Sequence, residues 1–172
     1  QHAALEAGKT IRETLRTAFQ DLVDEEKEML AAYDKMASAS PDELERLMAD
    51  TAEIQERLEA ADYYNLDTKI EEVAAGLGLR DIGLDHKVDE LSGGQRRRVD
   101  LARLLIGDYD VLMLDEPTNH LDMRTINWLA RHLKARWQRG QGAMLVVTHD
   151  RWFLDEVCTC LLYTSPSPRD TR

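Results

Sequence analysis

Residues 111–122 read VLMLDEPTNHLD. Four apolar residues, Val111 to Leu114, run straight into two carboxylates, Asp115 and Glu116, and then into Pro117, which cannot continue a central strand. A short apolar run closed by acids is the pattern of a strand buried on both faces of a parallel sheet, with its polar residues at the C-terminal edge where such sheets hold ligands. A second run, Met144 to Val147, ends the same way in Thr148-His149-Asp150. Between the two, residues 123–139 keep helical periodicity and Gly140-Gln141-Gly142 supplies a turn. Helix, strand, helix, strand in this order predicts an α/β fold.

Working toward the N-terminus, Leu91-Ser92-Gly93-Gly94-Gln95 opens a helix expected to run from Gly93 to Ile106. Ahead of it the texture is all helical. Ile11, Leu15, Ala18, Phe19, Leu22, Val23, Met29, Leu30 and Tyr33 form an i, i+3, i+4, i+7 stripe, so one long amphipathic helix is expected from Thr10 to about Tyr33. Ser38-Ala39-Ser40-Pro41 breaks it. Ser40 as N-cap, Pro41 at the first helical position and Glu43 three residues after the cap announce a second helix, with Leu44, Leu47, Met48, Ile54 and Leu58 on one face. Two long helices around a short break read as an antiparallel hairpin with solvated charged faces. A shorter helix over residues 67–75 stops at Gly76 and Gly78, and residues 79–90 read as a loop with short turns.

Composition sets the class. The 172 residues are 43% hydrophobic and carry a formal net charge of −11, which suits a globular domain with a core and excludes a disordered chain. No stretch approaches the ~20 apolar residues of a membrane span, and no signal-peptide order opens the chain; a cytoplasmic protein without a membrane partner is expected. Cys158 and Cys160 are the two cysteines, too few for a disulfide framework and without further ligands at zinc spacing, so free thiols and no zinc are expected. The charge is lopsided: residues 1–90 carry net −13 and residues 91–172 net +2. An acidic first half repels nucleic-acid phosphates on average, so contact with them needs a local basic cluster. Arg12 with Arg16, or the run Arg96-Arg97-Arg98, are the candidates; a solvated helix face is the plainer reading of the run.

The chemistry-bearing residues cluster in the second half. Adjacent glycines at a helix start let backbone N–H groups approach an anion, and Ser92 adds a hydroxyl, so residues 92–95 are shaped to receive a phosphate. An apolar strand that delivers Asp115 and Glu116 is suited to holding Mg²⁺ on the first acid and polarising a water with the second. His149, at the matching end of the second strand, is placed to contact a phosphate; strand-end acids and histidines also serve as plain helix caps or hydrogen-bonded structural residues.

Together, LSGGQ, VLMLDEPTNHLD and VVTHD, in this order and at these separations, resemble the ATP-binding cassette (ABC) superfamily, strongly over residues 79–159. DEPTNHLD followed by VVTHDRWFLDEVC resembles its ABC-F branch, which pairs two cassettes on one chain without a membrane domain and acts on ribosomes. The resemblance implies an incomplete P-loop NTPase cassette, expected to be the first of the pair, that carries an inserted helical hairpin arm. It divides the chain into a connector (1–10), a helical subdomain with the arm-like hairpin (11–90) and the part bearing the signature helix, Walker B strand and switch histidine (91–159). It also implies roles. Ser92, Gly93, Gly94 and Gln95 correspond to the signature loop that contacts ATP held by the opposite cassette, Asp115 to the Mg²⁺ aspartate acting through water, and Glu116 to the catalytic glutamate. Asp122 corresponds to the D-loop aspartate, His149 to the switch histidine and Gln1 to the Q-loop glutamine. ATP and Mg²⁺ are the implied cofactors, a second cassette and the ribosome the implied partners. Nucleotide-binding components of ABC transporters, and DNA-repair-type ABC ATPases, share the core motifs and stand as alternatives.

Two departures qualify the match. The sequence contains no G-x-x-x-x-G-K-[ST] phosphate loop. Gly8-Lys9-Thr10 imitates its end, but residue 3 is Ala and no strand precedes it, so it reads as part of a connecting loop, and this span alone is expected to lack ATPase activity. Residues 160–172, CLLYTSPSPRDTR, resemble the translation of a sequencing-library adapter and are read as an artefact, so that only the residues up to about Thr159 are taken as natural sequence.

Overall fold

In the computed structural model, the described residues are 7–107, 109–137 and 142–158. The chain divides between residues 108 and 109 into two compact units. Gln1 and the adapter-like segment 160–172 lie outside the described residues.

The first unit is helical: α1 (Ile11–Arg16), α2 (Gln20–Met36), α3 (Pro41–Ala60), α4 (Leu66–Gly76) and α5 (Gly93–Ile106). The single helix expected from Thr10 is interrupted by a 3₁₀ turn at Thr17–Phe19. The interruption falls where Thr17 Oγ1 bonds the Thr14 carbonyl at 2.6 Å, a local bond of the kind that bends helices. Helices α2 and α3 pack together, and Arg57 near the end of α3 meets Glu25 near the start of α2 at 3.1 Å, so the pair is antiparallel. Tyr63, just past α3, donates its hydroxyl to Glu26 Oε2 at 2.8 Å and pins the hairpin's base. Toward the turn the apolar stripe is only partly covered: Met29 is buried, whereas Leu30, Tyr33 and Met48 are exposed. Two helices alone have no third element to cover both flanks of the stripe. Pro41 occupies the first helical turn as expected, but Ser40 contributes its carbonyl, accepting from Leu44 N at 2.8 Å, and no side-chain cap.

The core of this unit lies where α5 packs against α1 and α4, with Ile11, Leu15, Ile70, Leu77, Leu79 and Val99 fully enclosed. At about 25 cal/mol per Å² of apolar surface, each such side chain contributes roughly 1.5–3 kcal/mol. Arg12 and Arg16 do not face outward as free cations. Arg12 bonds Glu71 at 2.7 Å and Arg16 approaches Asp67 at 3.3 Å, so both tie α1 to α4. The hydrogen bond that Arg12 donates to Glu71 holds the guanidinium protonated above its ordinary range.

The second unit is a two-stranded parallel sheet, β1 (Val111–Asp115) and β2 (Ala143–Val147), connected through helix α6 (Met123–Trp137) and followed by α7 (Arg151–Val157), which packs on α6. The register pairs Val111 with Ala143 and Asp115 with Val147, bringing both polar strand ends to one edge. Leu112 and Leu114 face inward, as do Ile126, Leu129, Leu133 and Phe153. The expectation of strands buried on both faces is corrected here. Exposure alternates along β1, and Val111 (59%), Met113 (68%), Leu145 (45%) and Val147 (57%) remain open. Among the described residues the helices cover one face of the sheet only.

Candidate functional site

The C-terminal edge of the sheet gathers one group of candidate residues within the second unit. Glu116 N donates to Val147 O at 2.7 Å, extending the parallel ladder one residue beyond β1. At that residue the backbone turns left-handed, with φ +45, and His120 does so again at φ +64. A non-glycine residue in this region carries about 1–3 kcal/mol of strain and persists only where its surroundings hold it. The turn sends the Glu116 carboxylate back toward the end of β2. There Oε1 lies 3.4 Å from His149 Nε2, and Oε2 accepts from Thr148 Oγ1 at 3.1 Å. The His149 side chain is fully exposed (100%) and that of Glu116 largely covered (24%). One is therefore free to meet a ligand while the other is steadied.

Asp115 ends β1 with an exposed carboxylate, and no hydrogen bond or ion pair engages it among the described residues. Among those residues there is also no group of three or more His, Cys, Asp or Glu able to hold a metal by themselves. One free carboxylate fits Mg²⁺, which is commonly held by one or two protein acids through water while substrate phosphates complete the shell. Asp122 has a different occupation. Its Oδ1 accepts from Thr125 N at 2.8 Å and its carbonyl from Ile126 N at 2.9 Å, so it caps α6. On α7, Asp150 accepts from Phe153 N at 3.0 Å in the same role.

The signature segment belongs to the first unit. Ser92 is the N-cap of α5 in a reciprocal box: Gln95 N donates to Ser92 Oγ at 3.3 Å, and Ser92 N donates to Gln95 Oε1 at 2.8 Å. That use leaves the Ser92 hydroxyl proton available, since a hydroxyl accepts and donates at once. The first helical N–H groups, at Gly93 and Gly94, have no acceptor within their helix, and none is supplied by the described residues. A Cβ at either glycine would meet nothing within 4 Å. Internal packing does not require glycine here, so the open space suits a close approach from outside. Arg96 anchors the segment from behind, donating to the carbonyls of Leu91 (3.1 Å) and Asp89 (2.7 Å). It braces the loop while staying, like Arg97, exposed to solvent, in line with the solvated reading of the run.

Gly8-Lys9-Thr10 makes an instructive contrast. Thr10 also caps a helix with a box, here to Glu13. But Ile11 N and Arg12 N, the equivalents of the two glycine N–H groups, donate to the carbonyls of His86 and Leu84, both at 3.0 Å, and Gly8 N donates to Asp89. Its donors are spent on the loop over residues 84–89, so no phosphate cradle forms. Sequence reasoning reached Asp115, Glu116 and His149, which share one edge in the structure, and missed Thr148 and Thr118. The available signal was the register: strand-end residues of paired parallel strands stand side by side.

A helical unit that opens a helix on Ser-Gly-Gly-Gln, and a parallel sheet that presents Asp-Glu beside His, define a nucleotide-binding cassette. The family model described as ABC transporter matches residues 1–119, and the chain belongs to that family. It is 47% identical over 163 residues to an uncharacterised ABC transporter ATP-binding protein, YfmM, of Bacillus subtilis, a match covering 95% of this chain and 31% of that protein. It is 41% identical over 154 residues to the energy-dependent translational throttle protein EttA of Haemophilus influenzae, covering 88% of this chain and 27% of that protein. EttA is an ABC-F protein, in keeping with the branch that the motifs resemble. Among solved structures, the ATP-binding cassette MJ0796, in a dimeric post-hydrolysis state bound to ADP and Pi, matches with a TM-score of 0.50 and 22% identity over 91% of this chain and 53% of that one, a likeness of fold. The chain thus spans about a third or less of the relatives' length, as part of a cassette.

Proposed function

We propose that the full-length protein is an ATP hydrolase of the ABC-F type, which binds ATP between two cassettes of one chain and couples binding and hydrolysis to action on the ribosome. The observation that carries the reading is the strand-edge arrangement of an unengaged Asp115, a steadied Glu116 and an exposed His149 3.4 Å from it. Asp115 would hold Mg²⁺ through water. When bound, Mg²⁺ supplies charge neutralisation across the nucleotide's phosphates. Glu116 orients the attacking water and accepts its proton, and His149 reaches toward the terminal phosphate. Ser92, Gly93, Gly94 and Gln95 contribute a hydroxyl and free helix-start N–H groups to the ATP of the opposing cassette.

Asp122 acts as the D-loop aspartate while capping α6, and Gln1 is assigned to the Q-loop. The hairpin of α2 and α3 serves as the arm that reaches the ribosome. The name of EttA, a translational throttle protein, supports this reading; the name of YfmM, an ABC transporter ATP-binding protein, supports a transporter component as the second one. The 172 residues contain no G-x-x-x-x-G-K-[ST] phosphate loop, so the present span alone is expected to be inactive.

The test is Glu116→Gln in the full-length protein, with turnover, ATP binding and ribosome co-sedimentation measured. ATP binding is expected to persist, turnover to fall at least about a hundredfold, and the protein to stay with ribosomes in ATP. Unchanged turnover would remove Glu116 from its role, and recovery with membranes instead of ribosomes would favour the transporter reading.

A further inference from the structure

Behind Glu116 stands a pair of threonine hydroxyls that the assigned roles do not use. Thr148 Oγ1 lies 3.1 Å from Glu116 Oε2, 3.2 Å from Asp150 N and 3.5 Å from Thr118 Oγ1. The proton inventory gives these contacts a direction. A threonine hydroxyl has one proton and two acceptor positions. An ionised carboxylate and a backbone N–H leave no choice: Thr148 accepts from Asp150 N and donates to Glu116. Its remaining acceptor position faces Thr118, so Thr118 is the donor in that pair. The chain of donation runs Thr118 to Thr148 to Glu116 and ends on one carboxylate oxygen, with the other facing His149. Thr118 is buried, and Thr148 and Glu116 are half-buried.

We propose that Thr148, backed by Thr118, is a positioning residue for ATP hydrolysis, fixing the rotation of the Glu116 carboxylate so that Oε1 presents to water. The inference rests on the assignment of Glu116 made above. A glutamate's terminal torsion is broad and roughly two-fold, so nothing in Glu116 itself selects an orientation. Its left-handed backbone brings the side chain to the end of β2, and the bond from Thr148 selects the rotation. The relay also joins three pieces of chain, the turn after β1, the end of β2 and the start of α7. A general base displaced by even 1 Å loses about a hundredfold in rate, which sets the scale of the effect.

The experiment uses the full-length protein, four single variants, Thr148→Val, Thr148→Ser, Thr118→Val and Glu116→Gln, and the double variant Thr118→Val with Thr148→Val. Thr148→Val is expected to lower kcat about ten- to a hundredfold with KM for ATP unchanged within about twofold, and Thr148→Ser to restore kcat. Thr118→Val, which leaves the bond to Glu116 in place, is expected to lower kcat by a smaller factor. Combined with Thr148→Val it should add nothing, because members of one network are not additive. Wild-type kcat in Thr148→Val, or a parallel loss of kcat and ATP affinity that serine fails to rescue, overturns the relay while Glu116→Gln still abolishes turnover. Should Thr148→Val not fold, Thr118→Val and Thr148→Ser decide: an undiminished kcat in Thr118→Val overturns it. Wild-type turnover in Glu116→Gln would overturn the functional reading itself, and the relay with it.

Discussion

Gly142 backs onto the carbonyl of Asp110: a Cβ at residue 142 would stand 2.9 Å from the Asp110 carbonyl carbon and closer still to its oxygen. Gly142 is also left-handed, with φ +80. The same carbonyl accepts from Ala143 N at 2.7 Å, the bond that leads into the β1–β2 ladder. Gly142→Ala therefore meets a backbone clash and an unfavourable φ together. A loss of about 1–3 kcal/mol is expected in urea unfolding of the full-length protein, against no more than about 0.5 kcal/mol for an exposed surface control.

Ser92 holds two roles that substitution separates. Ser92→Ala removes the cap of α5 and should cost about 1 kcal/mol, whereas Ser92→Gly costs only a few tenths. Both delete the hydroxyl that faces outward from the Gly-Gly segment. If the segment takes phosphate, both variants lose ATP-driven pairing of the cassettes to a similar degree despite unequal stability. Size-exclusion chromatography of isolated cassettes with ATP, alongside melting curves, reads the two effects apart.

The cap of α1 makes part of the stability dependent on pH. Bonds from the Thr10 backbone N–H, then from its hydroxyl, hold the Glu13 carboxyl below its ordinary value. A depressed carboxylate stabilises the fold above its unfolded pKa, and that contribution disappears as pH falls through the lower folded value. Glu13→Gln, nearly isosteric with the protonated acid, should be less stable than wild type at pH 7. The difference should shrink as pH falls below the ordinary glutamate range; unfolding midpoints measured down a pH series check it.

Burial pushes the Cys158 thiol up. Thiolate is the reactive species, so alkylation at pH 8 should run several-fold slower than on the unfolded chain and accelerate as pH is raised further. Iodoacetamide labelling, followed by mass spectrometry of the peptide that carries Cys158 in the presence and absence of urea, measures this.

Helix α5 was legible to the residue, since Ser92, two glycines and Gln95 announce its start and an apolar periodicity carries it to Ile106. Both strands were legible for the same reason: short apolar runs closed by polar residues. The break at Thr17–Phe19 was not, because the apolar stripe continues through it and a hydroxyl-to-carbonyl bond leaves no periodic trace. Ser40 shows the reverse case, a complete capping pattern in which an exposed hydroxyl makes no cap bond. In the site, the identities of Asp115, Glu116 and His149 were readable, whereas their juxtaposition follows from register and from the reversal of φ at Glu116. Two polar-ended apolar runs hint at the first; nothing in a one-dimensional pattern encodes the second.

The reversal has an evolutionary corollary. At φ +45 the backbone of residue 116 would choose glycine, yet the position holds glutamate, so local conformational preference and chemistry pull in opposite directions. Selection for thermal robustness alone would drift this position toward glycine and discard the carboxylate. The Glu116→Gly variant is accordingly expected to unfold at higher denaturant than Glu116→Ala. A library screened only for heat resistance should therefore enrich, at this position, sequences that have forgotten what the loop was for.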